Sequence, residues 1–326
     1  IQMSDYGNLM ILEYDMEGKS VYQNMFGGKK DDRAYSVITT PDKKIVIAGY
    51  TDSQGSGRRD MWILEFDEEW NIQWEKTYGG KKDDAAKDIC YVPEDKEYIV
   101  AGYTESKGEG NRDLWMLKFD QRWNIKLDRT FGTTNDDEPN FVIPTADGGY
   151  LMGGQLFVGY KSDGLSYQDN LWLLKMDKNL QDQWDRKLGS YGAEAVHAAI
   201  NTADRGYTVA GFTDSKGEGR DDVYLLRIGE YGNIEWEKTY GGKKDERAYD
   251  IIPTKDGAYL IAGYTKTFGE GRFDMFLFKA KDDVELEEDK KLAFAPEEKK
   301  LKEEDMLIVA QSPKHFVSFD FRKANI

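Results

Sequence analysis

Histidine is nearly absent from this chain: only His197 and His315 occur in 326 residues. Zinc centres and Ser-His-Asp triads lean on that residue, and neither an HExxH pair nor a nucleophile elbow is present. Cysteine is scarcer, with Cys90 alone. A single thiol is compatible with an oxidising compartment because it has no wrong partner. Basic residues are outnumbered 45 to 61, for a net charge of −16. That balance disfavours nucleic acid, which is bound by neutralising phosphates, and anionic membrane surfaces. No apolar run approaches the length of a membrane-spanning helix. Helical periodicity is missing until the charged stretch near the C-terminus. What remains is apolar or alternating segments of strand length, 13% aromatic residues and 33 glycines.

These segments repeat. TYGGKKDDAAKDI (77–89) returns almost unchanged as TYGGKKDERAYDI (239–251), and weaker copies fill the rest. Gly49, Gly102, Gly154, Gly211 and Gly263 follow at intervals of 53, 52, 57 and 52. Trp62, Trp115, Trp172, Tyr224 and Phe276 keep the same period, and the two columns together bracket one five-residue insertion, between Gly154 and Trp172 of the third copy. A fixed period near 50 marks an array of one supersecondary unit. Cys90 falls in a column otherwise held by Ile38, Ile143, Ile200 and Ile252, where a small buried hydrophobe is expected.

One unit reads as four short strands, RAYSVIT (33–39), KIVIAGYT (44–51), DMWILEFD (60–67) and NIQWEKTY (71–78), separated by Gly, Asp and Asn turn signals. Four-stranded units of this length predict an all-β, six-bladed β-propeller in a single domain, 1–326. Whole blades are expected at about 32–79, 84–131, 137–188, 194–241 and 246–292. Residues 8–26 read as strands three and four, and 305–322 as strands one and two, so the N- and C-terminal strands would pair in one composite blade. Such closure removes exposed sheet edges. Residues 293–304 read as a charged, solvated insertion, and the start at Ile1 as a mature or trimmed chain.

The consensus GG-x-x-D-D-x-A, then AGYT-S-x-G-x-G-x-x-D, then D-x-x-x-NI-x-W-x-KT rests on Gly27, Gly28, Asp31, Asp32, Ala34, Ala48 to Thr51, Asp60, Asp67, Asn71, Ile72, Trp74 and their counterparts. It resembles the bacterial and archaeal SBBP or Delta-60-like propeller repeats of secreted and cell-envelope proteins, over residues 8 to about 281. The resemblance implies an extracytoplasmic module, periplasmic, surface-exposed or anchored through a segment outside this chain, with no shared chemistry and no cofactor.

Propeller topology brings the strand two–three loops and the inter-blade loops to one rim, the expected working face. Asp32, Asp84, Asp137, Glu194 and Glu246 open the first strands. They suggest a carboxylate ring at the channel mouth, open to Ca2+ or a basic segment, or else a turn cap repeated with the blade. Like charges raise one another's pKa, so pairing with Lys29, Lys30, Lys81 and Lys82 is expected. The acids and amides opening the third strands, from Asn8 and Asp60 to Asp274, read as caps of the glycine-rich loops. Departures from the repeat are the better clue to a specific site. GGQLFVGYKSDGLSYQDN (153–170) and GSYGAEAVHA (189–198) bring Phe157, Tyr160, Tyr167, Tyr191 and His197 to the rim as candidate partner contacts. The expected function is a non-catalytic protein-interaction or scaffolding module of a bacterial envelope assembly, not an enzyme. The alternative is a glycan-binding, or glycoside-active, propeller with Trp70 and Trp123 as sugar-stacking rings.

Overall fold

A computed structural model describes residues 7–160, 167–190, 192–269 and 271–281. Within them the chain is all-β, with no helix, and the sheets follow one another as the blades of a β-propeller. The first sheet is the hairpin β1 (Leu9–Tyr14) and β2 (Ser20–Phe26). The next holds β3 (Asp32–Thr39), β4 (Ile45–Thr51), β5 (Asp60–Phe66) and β6 (Ile72–Tyr78). Then come β7 (Asp84–Val92), β8 (Glu97–Thr104), β9 (Asp113–Phe119) and β10 (Ile125–Phe131). The third whole blade is β11 (Asp137–Pro144), β12 (Tyr150–Tyr160), β13 (Tyr167–Met176) and β14 (Asp182–Leu188). The fourth is β15 (Glu194–Asn201), β16 (Tyr207–Thr213), β17 (Asp222–Ile228) and β18 (Ile234–Tyr240). The last described sheet has three strands, β19 (Glu246–Pro253), β20 (Tyr259–Thr265) and β21 (Asp274–Ala280). All pairings within sheets are antiparallel between consecutive strands.

The middle strands of each blade are buried on both faces. In β5 all seven residues are buried: Met61 and Ile63 pack on Ile89, Tyr98 and Trp115 of the next blade, and Trp62 and Leu64 pack on Leu9 and Ile11 of the one before. Each such side chain contributes about 1.5–3 kcal/mol through area removed from water. The outer strands are more exposed: β6 has four exposed and two half-buried residues before the buried Tyr78. First strands adjoin first strands from blade to blade and so line the propeller's axis.

Every first strand of the five larger sheets carries a β-bulge, at Tyr35, Lys87, Asn140, His197 and Tyr249. The repeated glycine column explains it. A methyl group on Gly102 would stand 2.0 Å from the Ala85 carbonyl oxygen, and one on Gly211 equally close to that of Ala195. Only a residue without Cβ lets the bulged strand come that near. The bulge turns one side chain per blade out of the ladder, and these side chains meet from blade to blade. Lys87 lies over the Tyr35 ring at 4.5 Å, and the rings of His197 and Tyr249 are 4.8 Å apart.

One expected loop is largely strand. The insertion of the third blade lengthens β12 and β13 into a projecting hairpin arm, paired out to Tyr160 and Tyr167 with an irregularity at Phe157/Gly159. Its aromatic and β-branched residues suit a ladder better than a coil. The two strands expected within 305–322 and the insertion at 293–304 lie outside the described residues.

Candidate functional site

The two glycine-rich loop types do share one rim: Arg59 and Asp83 form a parallel bridge, and Lys82 N–H donates to Ser106 Oγ at 3.1 Å. The third-strand acids cap these loops as expected, with Gly57 N–H donating to Asp60 Oδ2 at 2.8 Å and Gly219 N–H to Asp222 Oδ2 at 2.9 Å.

The first-strand acids are not an open ring. Asp32, Asp84, Asp137, Glu194 and Glu246 are all buried, at 0–2% exposure. They accept from local donors rather than from Lys29, Lys30, Lys81 or Lys82, and only Glu194 Oε2 is left without a donor. Asp84 accepts from Thr104 Oγ1, from Ser106 Oγ at 2.7 Å and from Gly80 N–H at 2.8 Å. Asp32 has the same set from Thr51, Ser53 and Gly28. Burial raises Asp137 to about 6, against the hydrogen bonds that Thr133 donates. The column is therefore a tie between the second strand and the inter-blade loop, not a collar for a cation. Among the described residues no three His, Cys, Asp or Glu side chains gather as metal ligands.

Ionic chemistry collects nearer the axis, where the residue before each third-strand cap faces the second residue of the next first strand. Arg112 pairs with Glu138 there, and Arg247 with Asp221 at 2.6 Å. At the equivalent place in the third blade stands Asp169, whose opposite number is Ala195. No hydrogen bond or ion pair reaches its carboxyl among the described residues. Burial, and then the Glu138 and Glu194 charges, push Asp169 up to about 6. Glu138 goes the other way. Burial opposes its charge, but Lys87 Nζ at 3.3 Å and the Arg112 guanidinium hold it below the usual carboxylate range. The Arg112 guanidinium also lies over the Tyr103 ring at 4.4 Å. Two neighbouring carboxyls are thus tuned apart, one toward the acid and one toward the anion.

No family model and no curated protein matches the chain. Solved structures do. One is an exo-β-1,3-galactanase from Phanerochaete chrysosporium, 7% identical, with a TM-score of 0.44 over 83% of this chain and 64% of that one. A putative exo-β-1,3-galactanase from Bifidobacterium bifidum is 10% identical, with a TM-score of 0.42 over 84% of this chain and 93% of that one. A thermostable family-43 glycoside hydrolase is 8% identical, with a TM-score of 0.43 over 76% and 88%. The chain spans less than two thirds of the first galactanase's length. These glycoside hydrolases overturn the expectation of a non-catalytic envelope scaffold without enzymatic activity, in favour of the glycoside-directed alternative. Likenesses this distant assign no activity to this chain, and its chemistry is argued from its own residues.

The sugar-stacking rings require a correction. Trp123 is buried between Trp74 and Tyr98, with centroids at 4.6 and 4.2 Å, and its Nε1–H donates to Glu65 of the preceding blade at 2.9 Å. Trp70 stacks on Tyr22 and donates to Glu13 at 2.8 Å. Both sit at positive φ in the strand three–four turn; Trp123, buried, offers no face to a sugar, and half-buried Trp70 has one face taken by Tyr22. Leu180 and Gly232 take the same left-handed turn.

The rim candidates separate. Phe157 is half-buried, and its carbonyl accepts from Asn135 Nδ2 at 3.2 Å. Tyr160 and Tyr167 are partners in the backbone register at the end of the hairpin arm. Tyr191 lies outside the described residues. His197 is an axial bulge residue instead of a rim contact. It is half-buried between Phe212 and Tyr249, its Nε2 has no partner, and burial, then Arg247 and Lys87, lower it to about 3. Sequence reasoning missed Asp169 and Glu138. The column Arg59, Arg112, Asp169, Asp221, Phe273 held the signal, since it changes sign in the third blade.

Proposed function

We propose that this chain is a glycan-binding propeller that hydrolyses glycosidic bonds at its axis. The observation that carries the reading is Asp169, a carboxyl left without a counter-ion beside a Glu138 held ionised by two cations. Glycoside hydrolysis asks for that division of labour. Asp169, protonated at mildly acid pH, donates to the leaving oxygen. Glu138 faces the positive charge that develops on the sugar ring as the bond to the leaving oxygen breaks; a water then adds to the anomeric carbon and its proton returns to Asp169. The Tyr35 ring, 37% exposed and beside Lys87, offers an apolar face for a pyranose. The extracytoplasmic setting and kinship with the envelope propeller repeats belong to the same proposal.

Release of nitrophenol from a panel of nitrophenyl glycosides, together with a glycan array, tests it. Activity is expected to decline above pH ~6 as Asp169 loses its proton. Asp169→Asn and Glu138→Gln should each lower kcat/KM by about 10²–10⁴-fold. A folded chain that cleaves no glycoside and retains no glycan would sink the reading.

The finer architecture is proposed on packing parity. Met275 and Leu277 of β21 occupy the places of Met61 and Ile63, yet are 69% and 65% exposed. Met10 and Leu12 of β1 occupy those of Trp62 and Leu64, and they too are exposed. Each pair is the other's missing partner in a closed six-bladed ring. The first and second strands of the composite blade, 305–322, would complete that interface.

A further inference from the structure

Second strands carry an aromatic ring at one fixed place, Tyr50, Tyr103, Phe212 and Tyr264, in four of the five larger sheets. Three of these rings are covered by a guanidinium: Arg59 over Tyr50 at 3.8 Å, Arg112 over Tyr103 at 4.4 Å and Arg247 over Phe212 at 3.8 Å. The fourth, Tyr264, meets Phe273 edge-on at 5.1 Å. In the third blade Gln155 replaces the ring, and Asp169 holds the place of Arg59 and Arg112. The strand register ties the two departures together. Gln155 is the β12 residue opposite Glu138 of β11, and Asp169 of β13 is opposite Phe157, two residues further along β12. Residues at such diagonal places share one face of a sheet at roughly 7–8 Å, within reach of long side chains. The Gln155 amide thus stands between the two axial carboxyls, one strand from each.

That amide is unused. Gln155 is half-buried, no hydrogen bond takes its Oε1 or Nε2 among the described residues, and neither atom is sealed from water. The amide of Asn140, two residues beyond Glu138, differs, since its Nδ2 donates to the Val196 carbonyl at 2.8 Å. Glu138 draws its cations, Lys87 and Arg112, from the second blade and leaves Gln155 free. A half-buried amide without a partner costs stability that the repeat's own aromatic residue would not. It offers both a donor and an acceptor, which is what a sugar hydroxyl needs.

We propose that Gln155 sets specificity at the axial site by binding the 2-hydroxyl of the sugar undergoing cleavage. This role rests on the glycoside reading, and it narrows the substrates to pyranosides with a free 2-hydroxyl. Asp169 addresses the leaving oxygen and Glu138 the anomeric carbon, so the two carboxyls flank C1. The hydroxyl nearest C1 is the one on C2, and an amide between the carboxyls meets it first. Gln155 Oε1 accepts its O–H, which places electron density beside the developing positive charge. Hydrogen bonds to the 2-hydroxyl strengthen in the transition state for that reason.

Each nitrophenyl glycoside that the parent chain cleaves is paired with its 2-deoxy counterpart, and both are assayed on the parent chain, Gln155→Leu and Gln155→Ala. Four other blades carry an apolar or aromatic side chain at this place, so Gln155→Leu should melt at or above the parent's temperature. On the 2-hydroxy substrate each variant should lower kcat/KM by about 10–100-fold. On the 2-deoxy substrate the loss should stay below about threefold, because the interaction is already gone. Measuring both substrates on every chain cancels their different intrinsic reactivity. An equal loss on the two substrates would mark a merely structural role, and no loss on either would mark an idle side chain. Both outcomes overturn the proposal and leave the glycoside reading standing. A parent chain that cleaves no glycoside overturns the two together.

Discussion

At the scale of single residues, this protein separates carboxylates that are spent from one that is not. Asp84 and Asp32 are fully buried but locally satisfied, so their burial costs little. Asp169 is half-buried without a donor or a cation, and its pKa of about 6 lies well above the unfolded value of 3.8. The linkage follows from that order. The folded state favours the protonated carboxyl, so its effect on stability is neutral below pH ~4 and becomes a penalty as pH rises from 4 through 6. Asp169→Asn should therefore raise the melting temperature at pH 7.5, with the gain fading toward pH 4. A melting temperature unchanged or lowered at pH 7.5 would count against an uncompensated carboxylate. Higher stability with lower activity is the usual signature of a functional group held at a cost. The sequence shows Asp169 as one acid among 61. It becomes singular only when its opposite number is seen to be Ala195.

At the scale of the strand, the recurring device is the bulge in each first strand, bought by one glycine in the second. The glycine column is legible in the sequence as a period, and the bulge is the physical reason for it. Gly102→Ala forces the added methyl against the Ala85 carbonyl, and the backbone must move because nothing flexible stands there. A loss of about 1–3 kcal/mol is expected, read from chemical denaturation. An alanine costing only the few tenths typical of a surface site would refute the close approach. The bulge also explains why His197 points to the axis when a rim position was expected. A residue counted along an unbroken ladder would alternate between the blade faces, whereas the extra residue leaves that alternation. Outside the third blade's hairpin arm the described strands of the repeat lie close to where the sequence puts them, because β-branched runs ended by Gly, Asp and Asn are local signals.

For the molecule as a whole, the question is whether the two ends of the array of sheets meet, as the proposed closure requires. Met10, Leu12, Met275 and Leu277 present apolar faces at the two ends of the described array, where interior blades bury the equivalent residues. A chain ending at residue 281 is therefore expected to melt at lower temperature, to bind a hydrophobic dye and to associate. Equal stability of the shortened and full chains would argue against closure by 305–322. The sequence by itself determined the period, the strands, the turn caps and the surplus of acid, since each depends on neighbours in the chain or on repetition of one unit. The tertiary structure alone decided which acids are spent, that Trp123 is buried, and that Asp169 and Glu194 Oε2 lack the partners their counterparts have. Those facts depend on which column of one blade faces which column of the next. That stagger is fixed by blades packing around an axis, and no spacing within a single repeat encodes it.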